Sequence, residues 1–414
     1  MLRGVTRNVF VLGLVSFLND ISSEMLYPLV PIFLTAMLGA PAVAIGLIEG
    51  VAEATASLLR VVSGWYADRL RRRRPLIVGG YAVSAFSKPA IGLAASWPAV
   101  LALRFADRFG KAMRNPARDA LIADSTPTAY RGRAFGFHRS LDSAGAIVGP
   151  LAALALLPAF QEDLRPIFLF AFIPAVASVA LLFLVRERQR AVPTRAPFPT
   201  LTLKGFGRPF KAVLLVVALF SLGNSSDAFL ILRAQDLFAR DLESGAIAAG
   251  PLAIFGSNVL GLSTAMAVLA YVLYNIVYTL GATPAGMLSD RLGRRGIVIV
   301  GFAIYAVVYA GFALVTGSAA IWVLFIVYGF YIAMTEGVLR AYITDLSPTQ
   351  ARATGLGVYY TAVGLASFAA SVLGGALWTY VSPVATFAFG GVMAVVAAVV
   401  LLVAVPRVNG SRPR

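Results

Sequence analysis

The sequence predicts an all-α integral membrane protein with twelve transmembrane helices in two pseudo-symmetric six-helix bundles. Three observations carry that expectation. Of 414 residues, 59% are hydrophobic and only 13% are charged, about half the charged share of a soluble domain. The apolar residues gather in runs near the twenty or so that cross a bilayer. Short sequences at the ends of those runs recur at a nearly constant offset later in the chain.

Taken in order, the spans are about 9–37, 43–66, 75–95, 98–122, 131–157, 165–185, 211–235, 257–284, 296–316, 319–343, 353–378 and 384–405. An even number puts both termini on one side. The loops after spans 2, 4, 6, 8 and 10 hold DRLRRRRP, YRGR, RERQRAVPTR, DRLGRR and QAR, whereas the opposite loops hold only Arg165 and Arg240. The positive-inside rule then places both termini and the basic loops in the cytoplasm, in a multi-pass protein of the cell (inner) membrane. The net charge of +16 therefore reads as topology, and no nucleic-acid partner is expected. The first apolar run continues well past the short apolar region of a signal peptide and lacks a cleavage motif, so it is expected to remain as the first helix.

The chain divides at a proline- and arginine-rich stretch. The expected organisation is an N-terminal bundle over 1–186, a cytoplasmic linker over 187–210 and a C-terminal bundle over 211–414. The repeat supports this cut. GWYADRLRRRRP at 64 recurs as GMLSDRLGRRG at 286, ALIADSTP at 120 as AYITDLSP at 341, and RAFG at 133 as RATG at 352. Parallel repeats of this kind belong to transporters whose site lies where the repeats meet.

These motifs give the chain a specific resemblance. A GxxxDRxGRR loop after helix 2, repeated after helix 8, is the signature of the major facilitator superfamily (MFS). The second copy has Gly286, Asp290, Arg291, Gly293, Arg294 and Arg295; the first has Gly64, Asp68 and Arg69, with Arg71 where glycine is usual. Span 5 carries Gly145, Gly149 and Pro150, similar to that family's antiporter motif, although Leu151, Ala152 and Ala153 replace the glycine pair that often follows. The resemblance covers the whole chain. It implies a prokaryotic transporter working by alternating access, with helices 1, 4, 7 and 10 lining the cavity. The residues carry their own physical reading. The turns after spans 2 and 8 call for small residues, and an aspartate there can accept hydrogen bonds from a helix N-terminus and from arginine, latching the halves. Gly149-Pro150 is expected to bend span 5.

Span 4 is the anomaly. RFADRFGKAMRNPARD, residues 104–119, holds Arg104, Asp107, Arg108, Lys111, Arg114, Arg118 and Asp119. On a helix all seven fall within an arc of about 140°, opposite an apolar face. Arg104, Arg108 and Arg114 lie roughly 9, 15 and 24 Å below the membrane surface. Each cation would cost about 2.5–3.5 kcal/mol facing lipid, so the face must meet water, counter-charges or an anionic ligand. The counter-charges are Asp20 and Glu24 in span 1, which share a face with Tyr27, Glu49 and Glu53 in span 2, and Asp142 beside Arg139 in span 5. Span 3 adds Lys88, span 7 holds Asp227 and Arg233, and span 10 holds Glu336 and Arg340. Across the membrane the two signs nearly balance. Two readings stay open, a structural ion network and a basic cavity wall that takes an anionic or zwitterionic solute. For the second, the expected cavity residues are Asp20, Glu24, Tyr27, Arg104, Arg108, Lys111, Asp227, Arg233, Glu336 and Arg340. Pro116, after Asn115, is expected to kink the end of the span.

Energy and chemistry are bounded by absences in the sequence. There is no GxxxxGK[ST] phosphate loop, so ATP is not the direct driver. There is no cysteine, and His138 is the only histidine, so no thiolate or multi-histidine metal site is possible; no metal or cofactor is expected. Acids inside spans serve as proton relays, which makes Asp20, Glu24, Glu53, Asp227 and Glu336 the candidates for coupling. The loops lack the clustered His, Asp or Ser of a membrane enzyme, and no catalytic residue is assigned. The expected function is proton-coupled secondary transport of a small organic solute, with export favoured by the span 5 motif, by a monomer in the lipid bilayer. The alternatives are a polyspecific drug/proton antiporter and a transporter-like sensor that moves nothing.

Overall fold

The computed structural model describes residues 6–70, 72–127, 130–160, 163–187, 203–248, 250–256, 258–348 and 351–405. Most of the expected linker, both extreme termini and Arg71 lie outside the described residues. Those described contain no strand and form helices of membrane-crossing length. They are α1 (Arg7–Met37), α2 (Ala42–Asp68), α3 (Arg74–Gly92), α4 (Trp97–Asp124), α5 (Arg131–Phe160), α6 (Arg165–Leu184), α7 (Arg208–Glu243), α8 (Val259–Leu292), α9 (Arg294–Leu314), α10 (Ala319–Leu346), α11 (Arg352–Tyr380) and α12 (Pro383–Ala404). Ten of these are long and apolar enough to span a bilayer by composition. The other two are α3 and the charged α4. At 19 residues α3 still reaches about 28 Å, close to the hydrocarbon thickness.

The helix ends follow local chemistry. Thr6 caps α1 by accepting from the amide of Val9, and Ser382 caps α12 by accepting from that of Ala385. Proline occupies the first turn of α3, α4, α7 and α12, where its missing N–H costs nothing. Pro116, Pro150, Pro158 and Pro284 lie inside helices that continue through them, so α4 runs unbroken to Asp124.

Two spans are less regular than the sequence suggests. In α1 the helix turns at Tyr27–Pro28 and ends in a π-type turn, Phe33–Met37. In α7 the helix stops at Gly223 and restarts at Ala228, with Asn224 at φ −89° and ψ 78°. The apolar run hid this break, because Asn224, Ser225 and Ser226 are too few to interrupt the period.

The chain packs as two units. The first holds Met1–Ala40, Val51–Pro199 and Gly245–Leu269; the second holds Pro41–Gly50, Thr200–Ser244 and Ala270–Arg414. A cut at the linker would place 41–50 and 245–269 the other way. The start of α2 packs with α11 because both are glycine-bearing there. A Cβ on Gly46 would fall 2.1 Å from the Ser371 carbonyl, and one on Gly375 would fall 2.6 Å from that of Ala42. The amide of Val43 also donates to Thr379 Oγ1 at 3.0 Å.

Candidate functional site

In the first unit a close helix crossing builds the polar interior. A Cβ on Gly80 of α3 would lie 2.6 Å from the Gly110 carbonyl of α4, and one on Gly110 would lie 2.5 Å from the Gly80 carbonyl. The two backbones therefore touch, and the charges flanking the crossing are drawn together. Ser84 Oγ donates to Asp107 Oδ1 at 2.5 Å. The Lys88 ammonium reaches the backbone oxygen of Asn19 at 3.4 Å and its side-chain oxygen at 3.3 Å. Arg114, 1% exposed, lays its guanidinium over the Tyr81 ring at 4.1 Å. Arg104 is buried and sits over the Tyr27 ring at 5.9 Å. Arg108 and Lys111 are half-buried. Arg104 and Arg108 both act on Asp107 electrostatically, and Lys111 acts on Asp20 and Glu24.

A second crossing sets the acids of α1 against α5. A Cβ on Gly145 would fall 2.6 Å from the Phe17 carbonyl and 2.9 Å from the Asp20 Cβ; one on Gly149 would fall 2.6 Å from the Ile21 carbonyl and 2.9 Å from the Glu24 Cβ. The two motif glycines are thus contact points, one helical turn apart, and α5 continues through Pro150. Asp20 and Asp142 lie close enough to act on each other electrostatically. Asp142 also accepts from Ser16 Oγ at 2.7 Å and pairs with Arg139 at 2.8 Å. Arg118 joins the same group, donating to Ser16 Oγ at 3.2 Å and pairing with Asp119 at 2.9 Å.

The second unit uses tyrosines instead. Asp227 closes the break in α7 and accepts from Tyr328 at 2.6 Å and from Tyr274 at 3.0 Å. The Tyr305 hydroxyl donates to the Gly223 carbonyl, which ends the first half of α7, at 3.0 Å. Asn224 donates to Tyr331 at 3.4 Å. Tyr305 stacks on Tyr309 with centroids 4.0 Å apart, and Phe220 on Phe302 at 4.1 Å. The carboxylate is half-exposed at the edge of this aromatic mass.

The other expected cavity and coupling residues make separate contacts. Arg233 is buried against the Val315 carbonyl at 3.1 Å, with Asp236 at 3.5 Å. It is not brought to Asp227. Glu336 and Arg340 pair with each other at 2.5 Å, one turn apart on α10, both substantially exposed. Glu53 is also exposed. Glu53 and Glu336 are more accessible than Asp20 and Glu24. Lys88 stood alone in its span in the sequence, and Asp142 stood beside Arg139, with which it pairs. The tyrosines of α8, α9 and α10 gave no polar signal and were missed.

The repeated loops carry a repeated contact. Arg73 pairs with Asp124 at 2.6 Å in the first unit, and Arg294 pairs with Asp345 at 2.5 Å in the second. The aspartates stand in equivalent places in the repeat and the arginines one place apart, so the ALIAD and AYITD segments are the acidic partners of the loops. Arg294 also pairs with Asp290 at 2.9 Å, the aspartate–arginine contact expected of the motif. Arg295 donates to the Leu402 carbonyl at the end of α12, and Arg69 lies over the Trp65 ring at 3.7 Å. The side chain of Asp68 lies outside the described residues. The expectation that these turns need small residues is corrected in part. A Cβ on Gly286 meets nothing within 4 Å and one on Gly64 meets only Pro116 Cβ, at 3.6 Å; Gly293 alone needs glycine, for its φ of +91°.

The comparisons with known proteins agree with this architecture. The sequence model of the Major Facilitator Superfamily matches residues 12–262 and 243–414. An uncharacterized MFS-type transporter of Methanocaldococcus jannaschii is 35% identical over 400 residues, covering 97% of this chain and 95% of that protein. The cis,cis-muconate transport protein of Acinetobacter baylyi is 26% identical over 310 residues, 72% of this chain and 70% of that protein. The crystal structure of a D-xylose-proton symporter shares the fold with a TM-score of 0.71 at 16% identity, over 98% of this chain and 99% of that one. With helices, repeat, loop contacts and relatives in accord, the chain is a multi-pass membrane transporter, not an enzyme, and belongs to the Major Facilitator Superfamily.

Proposed function

We propose that this protein is a proton-coupled secondary transporter of a small organic anion or zwitterion. The observation that carries the reading is the basic face of α4, where Arg108 and Lys111 stay half-buried beside the buried Arg104. Arginine offers a planar fork suited to a carboxylate, and transporter sites lie near the midplane, the depth of Arg108. Asp20, Glu24 and Tyr27 complete the wall on α1. Muconate, named for one relative, is a dicarboxylate, which fits such a wall. Proton coupling rests on the acids of α1 and on the absence of any nucleotide loop.

The protein works by alternating access as a monomer in the inner membrane, with both termini cytoplasmic. Its functional halves are 1–186 and 211–414, joined by 187–210. The Asp290–Arg294–Asp345 cluster and the loop of Gly64, Asp68 and Arg69 act as gating latches. The glycine motif of span 5 favours export. A second reading, a polyspecific drug/proton antiporter, draws on Asp227. A carboxylate edged by tyrosine rings suits a lipophilic cation through charge and cation–π attraction.

The test is flux of candidate organic anions, zwitterions and lipophilic cations in proteoliposomes under imposed pH steps. Anion flux that responds to the pH step and collapses with a protonophore supports the proposal. Cation exchange alone supports the second reading, and flux indifferent to both treatments removes proton coupling.

A further inference from the structure

We propose that the two residues leaving α6, Arg186 and Glu187, form a strap that positions the Arg73–Asp124 pair. This rests on the gating reading of the loop after α2 and adds the residues that set it.

Arg73 ends that loop and is held twice. Its guanidinium pairs with Asp124 of α4 at 2.6 Å, and its backbone amide donates to Glu187 Oε1 at 2.7 Å. The amide of Arg74 donates to the other oxygen, Oε2, at 2.9 Å. Amides at a helix start have no partner within the helix, and Pro75, which follows, has no N–H to offer. A carboxylate across two such amides makes charge-assisted bonds, at the helix end that favours negative charge. Arg73 is 3% exposed, so fixing its backbone fixes where its guanidinium can reach.

Asp124 is held from its own side. Asn8 of α1 donates to Oγ of the next residue, Ser125, at 3.1 Å. The same side-chain amide donates to the Arg186 carbonyl at 2.7 Å and accepts from the Arg186 amide at 3.1 Å, so it pairs with both polar groups of that residue's backbone. The strap thus reaches both members of the pair. Glu187 holds Arg73 directly, and Arg186 reaches Asp124 through Asn8 and Ser125.

The second unit separates what is packing from what is extra. There Arg295, at the start of α9, donates to the Leu402 carbonyl at the end of α12. In the first unit Arg74 likewise donates to the Phe183 carbonyl at the end of α6, at 2.9 Å. That contact holds the helix ends in both repeats. The acid has no counterpart: the places that correspond to Glu187 across the repeat offsets hold Pro406, Arg407, Val408 and Asn409. Helix packing alone does not call for Glu187, and it stands where the chain passes into the linker.

Hydrogen–deuterium exchange of the purified full chain in lipid, read by mass spectrometry, tests the strap without a substrate. Glu187→Gln keeps the size of the side chain but leaves one acceptor oxygen. Exchange at the start of α3 should rise about tenfold or more, the loss of one charge-assisted hydrogen bond, and exchange at the end of α4 should rise with it. Arg73→Gln should also raise exchange at the end of α4, and Glu187→Gln added to it should raise it no further there. A rise confined to the start of α3 makes Glu187 a helix cap only and overturns the proposal, as does a rise in α4 that adds fully in the double variant. Asn8→Ala decides if Glu187→Gln fails to fold: it should raise exchange at both helix ends, and an unchanged start of α3 overturns the proposal. Proteoliposome flux of the organic anion that most stabilises the wild type separates this claim from the reading beneath it. Glu187→Gln should slow turnover as Asp68→Asn does, with the half-saturating concentration unchanged. If exchange changes as expected while both variants keep wild-type flux, the strap stands and the gating reading falls. If Asp68→Asn slows flux while Glu187→Gln does not, gating stands and the strap is overturned.

Discussion

The two units repeat at their edges and diverge inside. At the helix ends an arginine–aspartate pair recurs, Arg73 with Asp124 and Arg294 with Asp345, the arginines one repeat position apart. In the interior the first unit stabilises its polar groups with charges, Lys88, Asp107, Arg114 and the Asp20–Asp142 pair. The second surrounds the carboxylate of Asp227 with tyrosine hydroxyls. The difference teaches where each half is vulnerable. A charged interior fails when one member is removed, because the partner is left buried and uncompensated. A hydroxyl-lined carboxylate loses only one neutral donor at a time.

The sharpest test of that contrast is a pair of single variants. Asp107→Leu removes the acid that acts most strongly on the 2%-exposed Lys88 and should cost about 3–5 kcal/mol. Lys88→Met added to it should restore much of the loss. Tyr328→Phe removes one hydrogen bond to a carboxylate and should cost about 1.5–3 kcal/mol. Thermal melts of the purified variants compare them, and a larger loss for Tyr328→Phe would invert the picture of the two interiors.

How much of this was legible in the sequence follows the same divide. The helix spans, the charged face of α4 and the motif loops could be read, because apolar runs, charge and short repeats are one-dimensional signals. Which charges meet could not, since that depends on glycines in other spans. Gly80 and Gly110 decide that Ser84 meets Asp107, and Gly145 decides that α5 packs against Asp20. The break at Asn224–Asp227 escaped notice because polar residues this few do not disturb a hydropathy average.

The glycine contacts give the next largest effect. Gly80→Ala places a methyl 2.6 Å from the Gly110 carbonyl and should destabilise by about 1–3 kcal/mol through forced displacement. Gly286→Ala meets nothing within 4 Å and should leave the melting temperature near wild type. Equal losses at the two positions would mean that the α3–α4 crossing is not a tight contact.

The smallest stability effects belong to the latches. Asp290 is 62% exposed beside Arg294, and an exposed pair is worth about 0–1 kcal/mol. Asp290→Asn and Asp68→Asn should therefore fold and insert normally yet transport more slowly. Wild-type flux in both variants would reduce these loops to topology anchors.

The central claim is that the basic face of α4 binds the transported anion rather than merely bracing the helices. A substrate titration and a thermal melt on Arg108→Ala test it most directly, using the organic anion that most stabilises the wild type. The account predicts affinity lower by roughly tenfold or more, the equivalent of about 1.4 kcal/mol, with a melting temperature close to wild type. A large melting loss rescued by Asp20→Asn or Glu24→Gln, with affinity for the anion intact, would contradict it and make α4 a strut.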